Sequence, residues 1–505
     1  MESQKILHNE CIAQKVVNTA FQFPENNALY INDTFYSYKQ LLEIVNVVYL
    51  QIPNNKDYSR IGIYCNDDVY SYASIVAVNL YGAAYVPLNK RFPLSRNKWI
   101  IKECALKLIV TSVMDENIEA ISDGVDIINV EHSDLIFDEE AFKIKINKIR
   151  CSNRNNNSVC YILFTSGSTG VPKGVPVSNE NVNSFFNYFF KHYEFNKTDK
   201  FLQVYELTFD VSVFSFFMPL MVGACCYILP DDGIKHIKII ESLQKHNITV
   251  VSMVPTVLRY IEKYLDEITL PDLRYSFFSG DALYHKLVTK WSKSLPNAKI
   301  HNFYGPTETT IVCTRYIFNE FTSAKESVNG IVPLGKVFEG MEALIVDENN
   351  KPAEKGELCF AGLQVILSYL NNADAHKFFN YKNKCFYKTG DIVSVNKFGN
   401  LVFYGRTDNQ VKINGYRVEL VEIENAIYTI TNVNCVVVCK EDENKINQLF
   451  AFIEKNQIDE NSLKEKLYSV LPVYMIPQRF VAVKKFVLNA NGKVDRKKLI
   501  KIGYY

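Results

Sequence analysis

The sequence predicts an α/β protein in two parts, a large N-terminal domain followed by a small α+β domain. Three observations carry this. The chain has 505 residues, too many for one hydrophobic core. Residues 1–160 alternate helical and strand-like stretches, the pattern of helices wrapped around a largely parallel sheet. Beyond residue 410 the pattern changes, opening with a strand pair around Asn414-Gly415.

Composition narrows the class. Hydrophobic residues make up 48% of the chain, with 33 Phe and 31 Tyr, enough to fill several cores. The 56 Lys+Arg against 55 Asp+Glu leave a net charge of +1, so no global field recruits nucleic acid or an anionic membrane. Neither is an expected partner, and a nucleotide must be held by a local site. Twelve cysteines lie scattered without CxxC pairs, and Cys225-Cys226 are adjacent, which points to a reduced, cytoplasmic setting and to no zinc site. The N-terminus, Met-Glu-Ser-Gln-Lys, lacks the apolar core of a secretory signal.

In chain order, Ser37 and the segment Tyr-Lys-Gln-Leu-Leu-Glu-Ile-Val after it have the capped start and spacing of an amphipathic helix. Ile61 to Tyr64 reads as a strand, Tyr70 to Leu80 as a helix, Leu108 to Thr111 as a strand, and the Asn-rich stretch Cys151 to Ser158 as a loop. Residues 211–229 run without a charge, long enough to raise a membrane span. Pro219 and Gly223 interrupt the run and Ser212 and Ser215 dilute it, so a buried helix followed by a buried strand is expected. Thr249 to Val254 and Tyr275 to Ser279 read as strands, as does Gly356 to Gly362. In the small domain, helices are expected over Leu420 to Tyr428 and Asn461 to Val470, with a strand from Cys435 to Cys439 between them.

The chemistry starts at residues 161–178. A short apolar strand, Tyr161 to Phe164, breaks into hydroxyls and glycines that end in Lys173. Gly167, Gly170 and Gly174 let backbone N–H groups turn toward a ligand. Thr165, Ser166, Ser168 and Thr169 offer hydroxyls, and Lys173 adds a positive charge. This suits a polyanion such as a nucleoside triphosphate. The Walker pattern does not fit, because Lys173 follows Pro172 and precedes Gly174. The plain alternative is a polar surface loop.

The stretch resembles the signature loop of the adenylate-forming superfamily: acyl- and aryl-CoA synthetases, luciferases, and amino-acid adenylation domains of nonribosomal peptide synthesis. Further motifs follow in the family's order, over about residues 10 to 500. The resemblance implies a large multi-sheet N-terminal adenylation domain, 1–407, and a small mobile α+β C-terminal domain, 408–505, with Asp408 as the hinge. Gly280-Asp281-Ala282 is similar to the turn that lines the adenine pocket, and Asn302-Phe303-Tyr304-Gly305-Pro306-Thr307-Glu308-Thr309 matches a second signature. There Tyr304 would stack on the purine, Thr307 would bond the α-phosphate and Glu308 would ligate Mg²⁺. Asp391 would accept the ribose hydroxyls, and Arg406, with Tyr404 nearby, would approach ribose and phosphate. Lys493, in Asn491-Gly492-Lys493, resembles the catalytic lysine that bridges carboxylate and ATP.

The same resemblance implies the reaction. A carboxylic acid and ATP give an acyl-adenylate and pyrophosphate, and a phosphopantetheine thiol then takes the acyl group. Asp210, after Phe209, stands where amino-acid-activating members hold the substrate ammonium; its bland reading is a helix-terminal Asp facing the macrodipole. The family pattern places Val211, Phe214, Ser252, Phe277, Ser279, Phe303, Ile311 and Val312, with Lys493, around the substrate, which favours a small neutral amino acid such as alanine or serine. The chain closes soon after Leu499, so a carrier protein is expected in trans. A D-alanine–carrier ligase shares this architecture. An acyl- or aryl-CoA synthetase, in which Asp210 is structural, and a non-catalytic nucleotide-binding regulator are the readings from other classes.

Overall fold

The structure is a computed structural model. It describes residues 11–130, 138–144, 158–486 and 494–499, apart from positions 54, 57, 168, 169, 409, 495 and 497. Most of the expected loop at 151–158, the hydroxyls of Ser168 and Thr169, and Lys493 therefore lie outside the described residues.

Three sheets build the large part of the molecule. A nine-stranded sheet is parallel through its centre, where Lys299–Tyr304, Tyr275–Phe278, Val250–Met253, Lys200–Gln203, Cys225–Ile228 and Asn27–Ile31 lie side by side. Antiparallel strands close both of its edges. A six-stranded sheet runs in the order Asp126–Asn129, Leu108–Thr111, Arg60–Cys65, Ala84–Asn89, Val159–Thr165, Lys173–Ser178. Only its last pair is antiparallel. A five-stranded antiparallel sheet, centred on Lys355–Gly362 and Lys384–Val395, completes this part.

Local chemistry accounts for the elements. Ser37 caps the helix Tyr38–Gln51: its hydroxyl accepts from the Gln40 N–H at 3.2 Å, while the Gln40 side chain takes the Ser37 N–H at 2.8 Å. The uncharged run forms a helix, Val211–Val222, and a strand, Cys225–Ile228, both buried between the layers. The Tyr38 hydroxyl reaches the carbonyls of Pro219 and Ala224, satisfying acceptors at the helix end that hydrocarbon would leave bare. Among the described residues no helix is long and apolar enough to cross a membrane.

The C-terminal part is a small domain with its own core, built on Ile413, Val418, Ile423, Val437 and Leu467. A hairpin, Gln410–Ile413 with Tyr416–Glu419, turns at Asn414 and Gly415, whose φ values of 50° and 86° are those of a type I′ turn. The helix Leu420–Thr431 follows, then the strands Cys435–Glu441, Asn447–Glu454 and Arg479–Val483, with the helix Glu460–Tyr468 between the last two.

Candidate active site

The three large sheets and the hairpin converge on two adjoining cavities. Parallel strands of the nine-stranded sheet end in Ser279-Gly280-Asp281 and in Tyr304 to Thr307, so their C-terminal edge supplies one wall, as open α/β sheets do. The hairpin of Val159–Thr165 and Lys173–Ser178 brings the phosphate loop from the six-stranded sheet. The five-stranded sheet pairs Asp391 with Arg406 in register. The turn at Gly415 enters against Val254, where a Cβ on residue 415 would lie 2.4 Å from the valine methyl. Only glycine lets the turn come this close.

The smaller cavity, about 80 Å³, is lined by Thr165, Ser166, Asp210, Val211, Ser279, Gly280, Gly305, Thr307 and Ile311 from the large part. Lys412, Gly415, Tyr416 and Arg417 line it from the hairpin. Asp210 stands at the start of the helix Val211–Val222, but its side chain makes no cap hydrogen bond. Its carboxylate is buried and has no ion pair among the described residues. Burial pushes it up to about 6, against the Thr307 hydroxyl and the Lys412 charge, which pull it down. The macrodipole alone does not explain a carboxylate held in this way.

Phe214, Phe277, Phe303 and Val312, expected around the substrate, do not line this cavity. Phe189 joins Phe214 and Phe303 at centroid distances of 4.7 and 5.4 Å, and Phe277 lies 5.2 Å from Phe303. The rings fill one another's space and leave little behind Ile311. Ser252 is likewise outside the cavity; with Ser279 it faces the Tyr205 hydroxyl, which forms no good hydrogen bond to either.

The larger cavity, about 410 Å³, is lined by Gly280, Asp281, Asn302, Phe303, Tyr304, Gly305, Asp391 and Arg406, all expected at the nucleotide. Asp281 accepts from Thr256 at 2.9 Å, and Asn302 donates to the Pro333 carbonyl at 2.9 Å. Asp391 accepts from the Tyr304 hydroxyl and, at 2.5 Å, from Arg406. Arg406 also forks onto Asp408 at 2.7 and 2.9 Å. Burial opposes the Asp408 charge, and Arg406 more than compensates, leaving its carboxyl below the usual range. Tyr404 departs from expectation. Phe403 and Gly405 face the cavity, so strand alternation turns Tyr404 to the other side, where Lys355 lies over its ring.

The phosphate loop is already partnered. Lys173 is buried, paired with Asp374, and lies over the Tyr369 ring. Ser166 donates to the Arg417 carbonyl at 2.7 Å. Thr165 lines the smaller cavity with a buried hydroxyl that has no partner among the described residues. Glu308, expected on Mg²⁺, is 0% exposed, and both of its oxygens take Arg417 Nη1, at 2.9 and 2.8 Å. Tyr369 donates to one of them at 2.5 Å. Burial disfavours its charge, but Arg417 and Tyr369 hold it ionised below the usual range. With the hairpin in place the carboxylate has no room for a metal ion, and among the described residues no cluster of three acidic or imidazole groups offers another site.

Lys412 and Arg417 are absent from the sequence expectations. Their signal was there: across a two-residue turn at Asn414-Gly415, positions 412 and 417 are direct partners. Two cations facing each other in a hairpin are unfavourable unless anions lie within reach, here Glu308 paired with Arg417, and Asp391 and, more weakly, Asp210 acting on Lys412 without an ion pair.

Comparison with known proteins agrees with this geometry. The model of the AMP-binding enzyme family matches residues 16–370, and that of the AMP-binding enzyme C-terminal domain matches 422–493. Zwittermicin A synthase ZmaJ of Bacillus cereus is 32% identical over 98% of this chain and 95% of its own length. D-alanine--D-alanyl carrier protein ligase of Lactococcus lactis subsp. lactis is 30% identical over 97% and 98%. Among solved structures, the Vibrio cholerae adenylation domain AlmE in complex with glycyl-adenosine-5'-phosphate superposes with a TM-score of 0.82, at 27% identity over 99% of both chains. The cavities, the loop and the docked small domain are those of an adenylate-forming ligase, and the chain belongs to the AMP-binding enzyme family.

Proposed function

We propose that this enzyme adenylates a small neutral amino acid with ATP and passes the aminoacyl group to the phosphopantetheine thiol of a separate carrier protein. The observation that carries this reading is Asp210, a buried carboxylate without an ion pair among the described residues, at the wall of a cavity of about 80 Å³. An α-ammonium group supplies the cation that burial otherwise denies it. A fatty or aryl acid brings none. The packed rings of Phe189, Phe214, Phe277 and Phe303 restrict the side chain to about the size of alanine or serine. The likeness to a D-alanine–carrier ligase and to a glycyl-adenylate complex supports a small substrate and a carrier in trans.

In the first half-reaction the amino-acid carboxylate attacks the α-phosphorus of ATP and the bond to pyrophosphate breaks. The purine lies by Tyr304, the ribose by Asp391, and the polyphosphate by Thr165 and the loop through Lys173. Lys493 aligns the attacking carboxylate. In the second, the thiol sulfur attacks the carbonyl carbon, AMP leaves, and the thiol proton passes to solvent. Asp210 holds the ammonium through both. The docked hairpin belongs to the second half, with residues 408–505 swinging as a unit about Asp408. Glu308, once Arg417 is elsewhere, would be the residue to hold a magnesium ion, which would supply neutralisation of phosphate charge. The proposed setting is cytoplasmic, in keeping with cysteines scattered along the sequence without CxxC pairs.

The test is ATP–pyrophosphate exchange across the proteinogenic amino acids, D-alanine, β-alanine, and several aryl and fatty acids. Exchange confined to small neutral amino acids is expected. Exchange with an aryl or fatty acid alone sinks the reading and makes the enzyme an acyl- or aryl-CoA synthetase.

A further inference from the structure

A buried ion pair joins the small domain to the large part beside the phosphate loop, and the reaction described above uses neither member. Arg96, on the helix Leu94–Glu103, donates from Nη1 to Glu422 Oε1 at 2.8 Å. The side chains are 6% and 4% exposed, and 326 positions separate them in sequence. Among the described residues Arg96 Nε and Glu422 Oε2 have no well-formed hydrogen bond, although the Gly167 N–H lies close enough to favour the Glu422 charge.

As a source of plain stability this arrangement is poor. Burying two charges costs several kcal/mol, and the attraction offsets that only when the remaining donors and acceptors are also satisfied. Here one of each is not. Such a pair holds while both partners are present and yields readily when they part, because both charges regain water. That is the behaviour of a reversible contact.

Its position gives it a task. One turn beyond Glu422, Asn425 lies against the phosphate loop, where a Cβ on Gly170 would be 2.0 Å from Asn425 Nδ2. Ser95, next to Arg96, donates to the Ser469 carbonyl of the small domain at 3.2 Å. Directly before this helix in the chain runs the strand Tyr416–Glu419, which carries Arg417 into the cavity. Fixing the helix Leu420–Thr431 at its first turn therefore fixes the hairpin.

We infer that Arg96 is a positioning residue for thiol transfer: paired with Glu422, it latches the small domain in the arrangement that seats Lys412 and Arg417 in the active site. The assignment of this arrangement to the thiol step rests on the function proposed above; the latch itself rests on the ion pair.

The experiment uses the full-length enzyme, as Arg96→Glu, Glu422→Arg, the double charge swap, and Glu422→Gln. Three readouts are taken: pyrophosphate exchange, single-turnover transfer from preformed aminoacyl-adenylate to the loaded carrier, and hydrogen–deuterium exchange of residues 94–103 and 420–431. The single variants are expected to keep pyrophosphate exchange within about twofold of wild type and to slow transfer at least tenfold. Deuterium uptake should rise in both helices but not in the core helix 211–222. The swap should restore transfer and protection to within about threefold, which a merely structural loss would not allow. Unchanged protection in the single variants overturns the latch, as does equal loss of both half-reactions, or a folded swap that restores nothing. If no amino acid supports exchange, the functional reading fails on that assay, and the deuterium uptake still decides whether the ion pair holds the domains together.

Discussion

Two groups of buried ions at the site are held in opposite ways. Beside the larger cavity and the loop from Thr165 to Lys173, the chain answers its own ions: Glu308 with Arg417, Lys173 with Asp374, Asp391 with Arg406, and Asp408 with the same arginine. At the smaller cavity, Asp210 is equally buried and has no ion pair among the described residues. The contrast separates two kinds of buried ion. On the proposed reaction, a charge paired within the chain is handed from one arrangement of the small domain to another, with Arg417 and a ligand taking turns. On the function proposed above, a charge with no ion-pair partner is a demand on the substrate, and it selects for an ammonium.

Removing the unpaired charge should have the largest effect. Asp210→Ala is expected to lower amino-acid-dependent pyrophosphate exchange roughly a thousandfold, the scale of a lost buried charge pair. Retained activity on any amino acid would erase the distinction between the cavities. On the paired side, Arg417→Leu leaves Glu308 buried without its cation and should cost roughly 3 kcal/mol of thermal stability, most of it recovered when Glu308→Gln is added. A loss that Glu308→Gln leaves untouched would mean that the pair is not the source.

Acidity sharpens the same comparison. Asp210 has its carboxyl raised to about 6, so below that pH it is protonated and loses the ammonium. The amino-acid KM should rise about tenfold per pH unit below 6 and stay level above 7. Stability runs the other way. The folded-state value lies above the unfolded one, so ionisation is penalised in the fold, and this stability is lost as pH rises from about 4 through 6. Asp210→Asn should therefore be more stable than wild type by about 3 kcal/mol at pH 7 without substrate, and no more stable at pH 4. A calorimetric pH series checks both limbs. The smallest effect belongs to Tyr404, which faces away from both cavities: Tyr404→Ala should leave the KM for ATP within about twofold. A larger change would return it to the nucleotide site.

Much of this was legible in the chain. Ser37 and Gln40 stand at capping-box spacing, the charge-free run at 211–229 is broken where a helix must stop, and Asn414-Gly415 allows only one kind of hairpin turn. Each signal is local, set by side chains within a few positions. That the residues expected at the nucleotide line one cavity was legible because short motifs sit at strand ends, where a parallel sheet presents them. Tyr404 misled because its motif neighbours face the cavity while strand alternation turns it outward. Phe214, Phe277 and Phe303 misled because which ring faces a cavity is decided by how rings from several elements pack, and Phe189, more than twenty positions before Phe214, completes that packing.

By itself the sequence determined the α/β layering, the hairpin loop of glycines and hydroxyls, the small terminal domain and the lone Asp210, because these rest on backbone periodicity, turn chemistry and the identity of one residue. Only the tertiary structure decided which ions meet. Arg417 on Glu308, Arg96 on Glu422 and Asp374 on Lys173 join positions 109, 326 and 201 apart. Coulomb attraction acts through space, and nothing along the chain encodes a distance that folding has yet to create.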